Sequence, residues 1–228
     1  MLLTRKVTTR NVSVNIAKVV TIVLLLALPL FYPVGIRQWA YLAMQVSYCT
    51  WYLLKQAIVR EPVFRERDSP LEVAMVIGSV GVFYALPGWL VFMNPEPVSG
   101  LVLGASIVLF YFGSLLNSSA DVQKTYTLRA QRGLITNGFW GLSRNINYFG
   151  DIVRYSAFAL LSGSIWSWTV VATVLVIDLG RMRGKQASLA RYPGFAAYRR
   201  AVPALVPFLK LPASAPPLVA EEPVEQVV

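Results

Sequence analysis

The sequence predicts an all-α fold: a polytopic transmembrane helix bundle of about six spans with ligand-pocket loops on the cytoplasmic side. Three observations predict it. Of 228 residues, 56% are hydrophobic and only 14% charged, with a mean hydropathy of +0.55. The apolar residues gather in runs long enough to cross a bilayer. The lysines and arginines fall between those runs, on alternate loops. A formal charge of +10 would raise nucleic acid as a partner for a soluble protein, but charges placed this way set orientation in a membrane. No nucleic-acid role is assigned.

Residues 1–15 are polar and basic and read as a cytoplasmic N-terminus; residues 16–116 hold four transmembrane helices. The first span runs from Ile16 to about Gly35, closed by Pro33 and Gly35. With Arg5, Lys6 and Arg10 ahead of it, this stretch imitates a signal peptide. No small-residue cleavage site follows, so it is read as retained. The second span, Trp39 to Val59, carries Trp39, Tyr41, Trp51 and Tyr52 as interfacial or packing aromatics, with Lys55 able to snorkel. Residues 60–70 alternate in sign and read as a solvated hairpin. The third span, Leu71 to Met93, is expected to kink at Pro87-Gly88, and Asn94 to Pro97 turns the chain without a basic residue. The fourth runs from about Val98 to Leu116, with Gly100, Gly104, Ser106 and Gly113 as points of close helix approach.

Residues 117–210 form a C-terminal region with a polar run, an aromatic motif and two shorter apolar segments, Tyr148–Ser162 and Ile165–Leu179. Those segments are either a fifth and sixth span or a hairpin dipping partway into the bilayer. A basic stretch with Arg181, Arg183, Lys185, Arg191, Arg199 and Arg200 follows. The segment from Val202 to Leu209 is placed along the interface, and residues 211–228 read as a flexible tail. Six crossings with both termini cytoplasmic put every strongly basic loop on the cytoplasmic side.

The chemistry is bounded by what is missing. There is no histidine and a single cysteine, Cys49. The commonest metal ligand and the commonest general base near neutral pH are therefore absent, and no metal site is expected. Proton transfer falls to Tyr, Asp, Glu, Lys or water. Polar groups concentrate in two neighbouring stretches, Asn117 to Arg129 and Thr136 to Asp151. If the fourth helix continues through the first, Asp121, Lys124 and Leu128 share a face. Lys124 and Arg129, with Arg132, Arg144, Arg181 and Arg183, match the oxygens of a phosphorylated ligand, although basic residues also collect there for topology alone. In the second stretch Gly138 and Gly141 let the backbone turn around Phe139 and Trp140. Their rings suit either stacking on a base or anchoring at the membrane surface. Asp151 and Arg154, three residues apart, pair with each other or face a partner.

Read together, Asn117…Gln123-Lys124…Arg129, Gly138-Phe-Trp-Gly-Leu-Ser-Arg144-Asn-Ile-Asn147-Tyr148-Phe-Gly-Asp151 and Arg191-Tyr192…Tyr198…Val202-Pro203 resemble the C-terminal half of the membrane sterol C14 and C7 reductases. That superfamily also includes steroid 5-alpha-reductase-like proteins and isoprenylcysteine carboxyl methyltransferases. The resemblance implies a cytoplasm-facing NADPH pocket beside a lipid-accessible cavity, and reduction of a carbon–carbon double bond in a sterol-like or isoprenoid membrane lipid. It implies cofactor contacts at Lys124, Arg129, Trp140, Arg144, Asn147, Tyr148 and Asp151, to which Arg183 and Tyr192 are added from the basic stretch. Tyr148, Asp151 and Tyr198 are the candidate catalytic groups. The alternatives are an S-adenosylmethionine-dependent methyltransferase of a lipid or prenylated substrate, and a non-catalytic relative that binds lipid or a membrane partner. Two positions depart from the reductase pattern. Asn145 stands where a histidine is usual, and Arg183-Gly184-Lys185 stands where Arg-Asp-Glu is usual.

Overall fold

A computed structural model describes residues 8–59, 67–130 and 133–207; the expected tail lies outside the described residues, as do most of the charged hairpin and Arg132. Nine helices appear among the described residues. They are α1 (Arg10–Ala27), α2 (Ile36–Val59), α3 (Pro70–Val76), α4 (Leu86–Phe92), α5 (Gly100–Ala130), α6 (Phe139–Leu142), α7 (Ile146–Ser162), α8 (Trp168–Leu189) and α9 (Phe195–Ala201). The only β structure among the described residues is a two-residue antiparallel pairing of Thr8–Thr9 with Arg67–Asp68.

Four helical stretches are long and apolar enough to cross a membrane: Arg10–Leu30, Pro70–Phe92, Gly100–Ala130 and Ile165–Leu189. The chain is an integral membrane protein. The two other expected spans are weaker on composition or length. Helix α2 has 24 residues and buries Arg37, Gln38, Gln45, Lys55 and Gln56. Helix α7 has 17 residues, about 25 Å at 1.5 Å per residue, short of the roughly 30 Å hydrocarbon core.

The third stretch is irregular where its proline requires it. Pro87 has no N–H to give and crowds the carbonyl one turn earlier. The rod from Pro70 accordingly passes through a π-helical segment, Ile77–Val82, and a 3-10 turn, Phe83–Ala85, before α4 resumes. The irregularity sits ahead of the proline rather than at it. It is met from α1, where Thr21 Oγ1 donates to the Gly81 carbonyl at 2.9 Å. At the start of the same stretch Ser69 and Glu72 form a capping box, and buried Asp68 accepts from Arg10 Nε at 2.6 Å.

Helices α5 and α7 cross at two glycines. A Cβ on Gly113 would lie 2.5 Å from the Gly150 carbonyl oxygen, and one on Gly150 would lie 2.6 Å from the Gly113 carbonyl oxygen. Backbone therefore rests on backbone. Of the other small residues expected to pack, Ser106 is buried, whereas Gly100 and Gly104 have open space where a Cβ would stand. The core beside this crossing is aromatic. Phe158 packs against Tyr41 and Phe110 with ring centroids 5.2 and 5.5 Å away, and Tyr155 meets Tyr84 edge-on at 5.2 Å.

The end of the bundle nearest the α7–α8 turn is closed by Arg37. Its Nη1 donates to Leu161 O at 2.9 Å and its Nη2 to Glu96 O at 3.1 Å, while Asn94 Nδ2 donates to Ser162 O at 2.9 Å. Arg37 is thus a buried staple, 7% exposed. Gly163 ends α7 at φ +68°, a left-handed conformation that glycine adopts without strain.

Replacing Gly113 by Ala should destabilise the detergent-solubilised protein by about 1–3 kcal/mol through overpacking, and Gly113→Leu should prevent stable expression. Gly104→Ala should leave the melting temperature unchanged or slightly raised. Equal effects at the two positions would contradict the glycine crossing.

Candidate functional site

Helix α5 does continue through the polar run, to Ala130, and this carries its last turns past the motif. Trp140 Nε1 donates to Ala120 O at 3.2 Å. Gln123 grips the turn ahead of it, accepting from Phe139 N at 3.0 Å and donating to Asn137 O at 3.1 Å. Gly138 at φ +58° leaves no room for a side chain there, since a Cβ would sit 2.4 Å from Gln123 Nε2. Asn117 Nδ2 reaches the Asn147 carbonyl at 3.0 Å.

Asp121 is the anionic centre of this region. Its carboxylate faces Lys55 Nζ at 3.3 Å, Lys124 Nζ at 3.5 Å and Asn147 Nδ2 at 3.3 Å. Lys55, expected to snorkel outward, is instead 5% exposed and Asp121 is 15% exposed. A second pair, Asp151 with Arg154, lies one turn further along α7. Arg154 also donates to the Tyr48 hydroxyl at 3.1 Å and lies over that ring at 3.9 Å. Lys18, buried at 3% exposure, approaches the rings of Tyr48 and Tyr52 at 4.6 and 5.4 Å.

The C-terminal region folds back onto the motif. Arg144 Nε donates to Val202 O and its backbone N to Pro203 O, both at 3.0 Å, and Asn145 Nδ2 donates to Ala204 O at 2.7 Å. Residues 202–204 are therefore bound by the motif and do not lie free along the interface. Tyr198, also buried, donates to the Trp140 carbonyl at 2.7 Å. Burial pushes its phenol above the usual value, with the Arg144 charge opposing. Burial likewise lowers Arg144 from the usual guanidinium range, Tyr198 pulling the other way and Arg199 adding to the fall.

Helix α8 runs to Leu189, well past Leu179, so the basic stretch is helical at its start and aims Lys185 back at the motif. Lys185 Nζ donates to Arg144 O at 2.7 Å and Asn145 Oδ1 at 3.1 Å, and lies 4.2 Å from the Trp140 ring and 5.8 Å from that of Tyr148. The two departures from the reductase pattern thus touch each other. An ammonium can only donate, and the neutral amide of Asn145 supplies the oxygen it needs.

Of the residues singled out from sequence, Lys124, Trp140, Arg144, Asn147, Tyr148, Asp151 and Tyr198 gather here, around α5, α7 and α9. Arg129 does not join them: it donates to the Val59 carbonyl at the end of α2 and lies 5.5 Å from the Tyr126 ring. Arg183 is exposed, and Tyr192 engages its neighbour Arg191 at 3.4 Å. Trp140 is 4% exposed with Lys185 over one face, which makes it a latch rather than an open stacking surface. Arg144 Nη1 and Asn147 Oδ1 are buried with no hydrogen-bond partner among the described residues. Lys18 and Lys55 carried little signal in the sequence, where lysines near the ends of apolar runs read as flanking charge.

This arrangement offers a buried N–H donor, a buried amide acceptor and several fixed cations around one carboxylate, with no metal-binding cluster among the described residues. No curated protein matches the chain. Residues 70–202, from the first turn of α3 to the carbonyl that holds Arg144, match a family described as a protein of unknown function, DUF1295. With more than half of its length in that match, the chain belongs to the DUF1295 family.

Proposed function

We propose that the chain is an NADPH-dependent membrane reductase of a carbon–carbon double bond in a sterol-like or isoprenoid lipid. It would cross the membrane six times with both termini cytoplasmic. The observation that carries the reading is the unmatched polar pair on the motif. Arg144 Nη1 and Asn147 Oδ1 are orphaned among Lys124, Lys185 and Tyr148. Leaving such groups buried without partners costs about 1–3 kcal/mol each, a cost that a ligand with both acceptors and donors removes. NADPH fits: its phosphate oxygens suit the guanidinium and ammonium groups, and its carboxamide N–H suits Asn147 Oδ1. The sulfonium of S-adenosylmethionine is a cation and would meet the same lysines and arginine with repulsion.

When bound, NADPH supplies a hydride. The chain's own task is to supply the proton and to hold the parts in place. Asp151, ion-paired with Arg154, is an acceptor and charge balance rather than an acid. The Tyr198 proton is committed to Trp140 O, which makes Tyr198 a positioning residue. Tyr148 is half-buried, has no hydrogen-bond partner for its hydroxyl among the described residues, and has the Lys185 ammonium 5.8 Å from its ring. Tyr148 is accordingly assigned the proton donor to the carbon opposite the one that accepts hydride.

The purified protein in detergent should be stabilised by NADPH and not by S-adenosylmethionine, since a ligand selective for the folded state raises its melting temperature. Arg144→Ala should reduce the NADPH-induced shift at least tenfold in apparent affinity without lowering the unliganded melting temperature below the assay range. A shift with S-adenosylmethionine alone would favour the methyltransferase, and no shift with either would favour the non-catalytic relative.

Tyr148→Phe should keep the NADPH-induced shift yet lower lipid-dependent NADPH oxidation by about 100-fold or more, the usual contribution of a positioned acid. Full activity in this variant, measured against a panel of isoprenoid and sterol substrates, would move the proton donor elsewhere.

A further inference from the structure

Past Leu179 the chain changes character. Residues 179–207 hold six cations and no aspartate or glutamate. One of the six, Lys185, is turned into the motif, where it donates to Arg144 O and Asn145 Oδ1. The other five are arginines, and all five are exposed. Arg181 reaches Asp178 at 3.2 Å, yet its side chain is still 63% exposed, and Arg191 lies 5.1 Å from the Tyr192 ring. Arg183, Arg199 and Arg200 have no ion-pair partner among the described residues.

Arginines in a loop beside a membrane ordinarily form a solvated face that fixes topology. Here two packing arrangements give them a more definite place. The first is α8, whose exposed residues Ala172, Val176, Leu179 and Arg183 follow one stripe at spacings of four, three and four. Val176 is 68% and Leu179 40% exposed, so the stripe is apolar until its last member. A neighbouring stripe runs from Ile177, 39% exposed, to Arg181. Each apolar stripe therefore ends in an arginine one turn on, about 6 Å along the axis. In an integral membrane protein that is where acyl chains give way to headgroups, and a long cationic side chain reaches the phosphates from there.

The second arrangement is α9. Phe195, Tyr198 and Val202 pack with Leu134 and with Leu189, the last residue of α8, and Tyr198 is tied to the Trp140 carbonyl. Positions two apart on a helix differ by about 200°, so holding Tyr198 inward turns Arg200 outward. The exposed arginines of α8 and of α9 thus lie on either side of the Leu189 contact.

A guanidinium fork matches the paired oxygens of a phosphodiester. An acidic protein or a nucleic acid would approach from water and would not meet Val176 or Leu179. A phospholipid presents both chemistries at once, acyl chain to the stripe and phosphate to the arginine that ends it.

We propose that Arg183 of α8 and Arg200 of α9, with Arg181 and Arg199 beside them, form a headgroup site for an anionic glycerophospholipid of the surrounding leaflet. The ligand is a boundary lipid rather than a substrate, and the inference is independent of the reductase reading.

The probe is dioleoylphosphatidylglycerol, added to delipidated protein in a neutral detergent, with bound lipid counted by native mass spectrometry and the melting temperature followed in parallel. Phosphatidylglycerol should be retained and should raise the melting temperature; dioleoylphosphatidylcholine should do neither. Inorganic phosphate and glycerophosphoglycerol, which carry the oxygens without the acyl chains, should not displace it at equal concentration. Raising sodium chloride from about 0.05 to 0.5 M should weaken retention, because exposed charges are screened. Arg183→Gln/Arg200→Gln should weaken phosphatidylglycerol binding about 30-fold and either change alone about fivefold, while Arg183→Lys/Arg200→Lys should recover part of the loss. If the double variant does not fold, the two single variants decide, since both side chains are exposed. Equal retention of phosphatidylcholine, full displacement by inorganic phosphate, or unchanged retention in both single variants would overturn the proposal. Displacement of the lipid by NADPH would put the headgroup on the cofactor site and overturn it too. Selective retention in a protein that shows no NADPH shift would instead sink the cofactor reading and leave the headgroup site standing.

Discussion

The contact on which the rest depends is the crossing of α5 and α7 at Gly113 and Gly150. Two backbones that touch fix the register of both helices over the following turns. One turn beyond the crossing Asn117 reaches the Asn147 carbonyl, and a further turn brings Asp121 to the Asn147 amide. Trp140 reaches Ala120 on the same flank. A single side chain of any size at either glycine would push these groups apart by more than a hydrogen bond tolerates. The small-residue pair thus does in this protein what a disulfide or a metal does in a smaller soluble one: it sets distance.

Around that crossing the polar groups are arranged so that few buried charges lack an opposing charge or a ring. Asp121 answers Lys55 and Lys124, and Asp151 answers Arg154, while Lys18 and Lys185 rest against aromatic faces. Cations still outnumber carboxylates there. This excess is costly in a low-dielectric interior. The contact between Lys185 and Asn145 belongs to the same balance, because an acid at 185 would meet the carbonyl of Arg144 and an amide oxygen with lone pairs alone.

The motif, α9 and the 202–204 segment enclose a polar cluster, while α2 and α5 leave a cavity of about 650 Å³ between them. Tyr48 lines that cavity and holds Arg154 and Lys18 against its ring, 3.9 and 4.6 Å from the centroid.

By itself the sequence determined the class and where the polar residues concentrate. Apolar runs of bilayer length require helices, because lipid offers no partner for an open backbone, and the density of amides and charges between Asn117 and Asp151 marked the polar end. It also determined that the α5 face holding Asp121 and Lys124 would be continuous, since helical spacing is local. Only the tertiary structure decided which of those residues meet. The inward position of Lys55 and Lys18, the displacement of Arg129 toward α2, and the staple formed by Arg37 depend on partners from about thirty to more than a hundred positions away, which periodicity does not encode. The meeting of Lys185 with Asn145 depends on α8 continuing past the apolar boundary where hydropathy ends it. The cavity between α2 and α5 was hidden for a related reason: a serine that closes a helix interface and a serine that leaves it open have the same sequence, and the distance between two helices is fixed by contacts made elsewhere in the bundle.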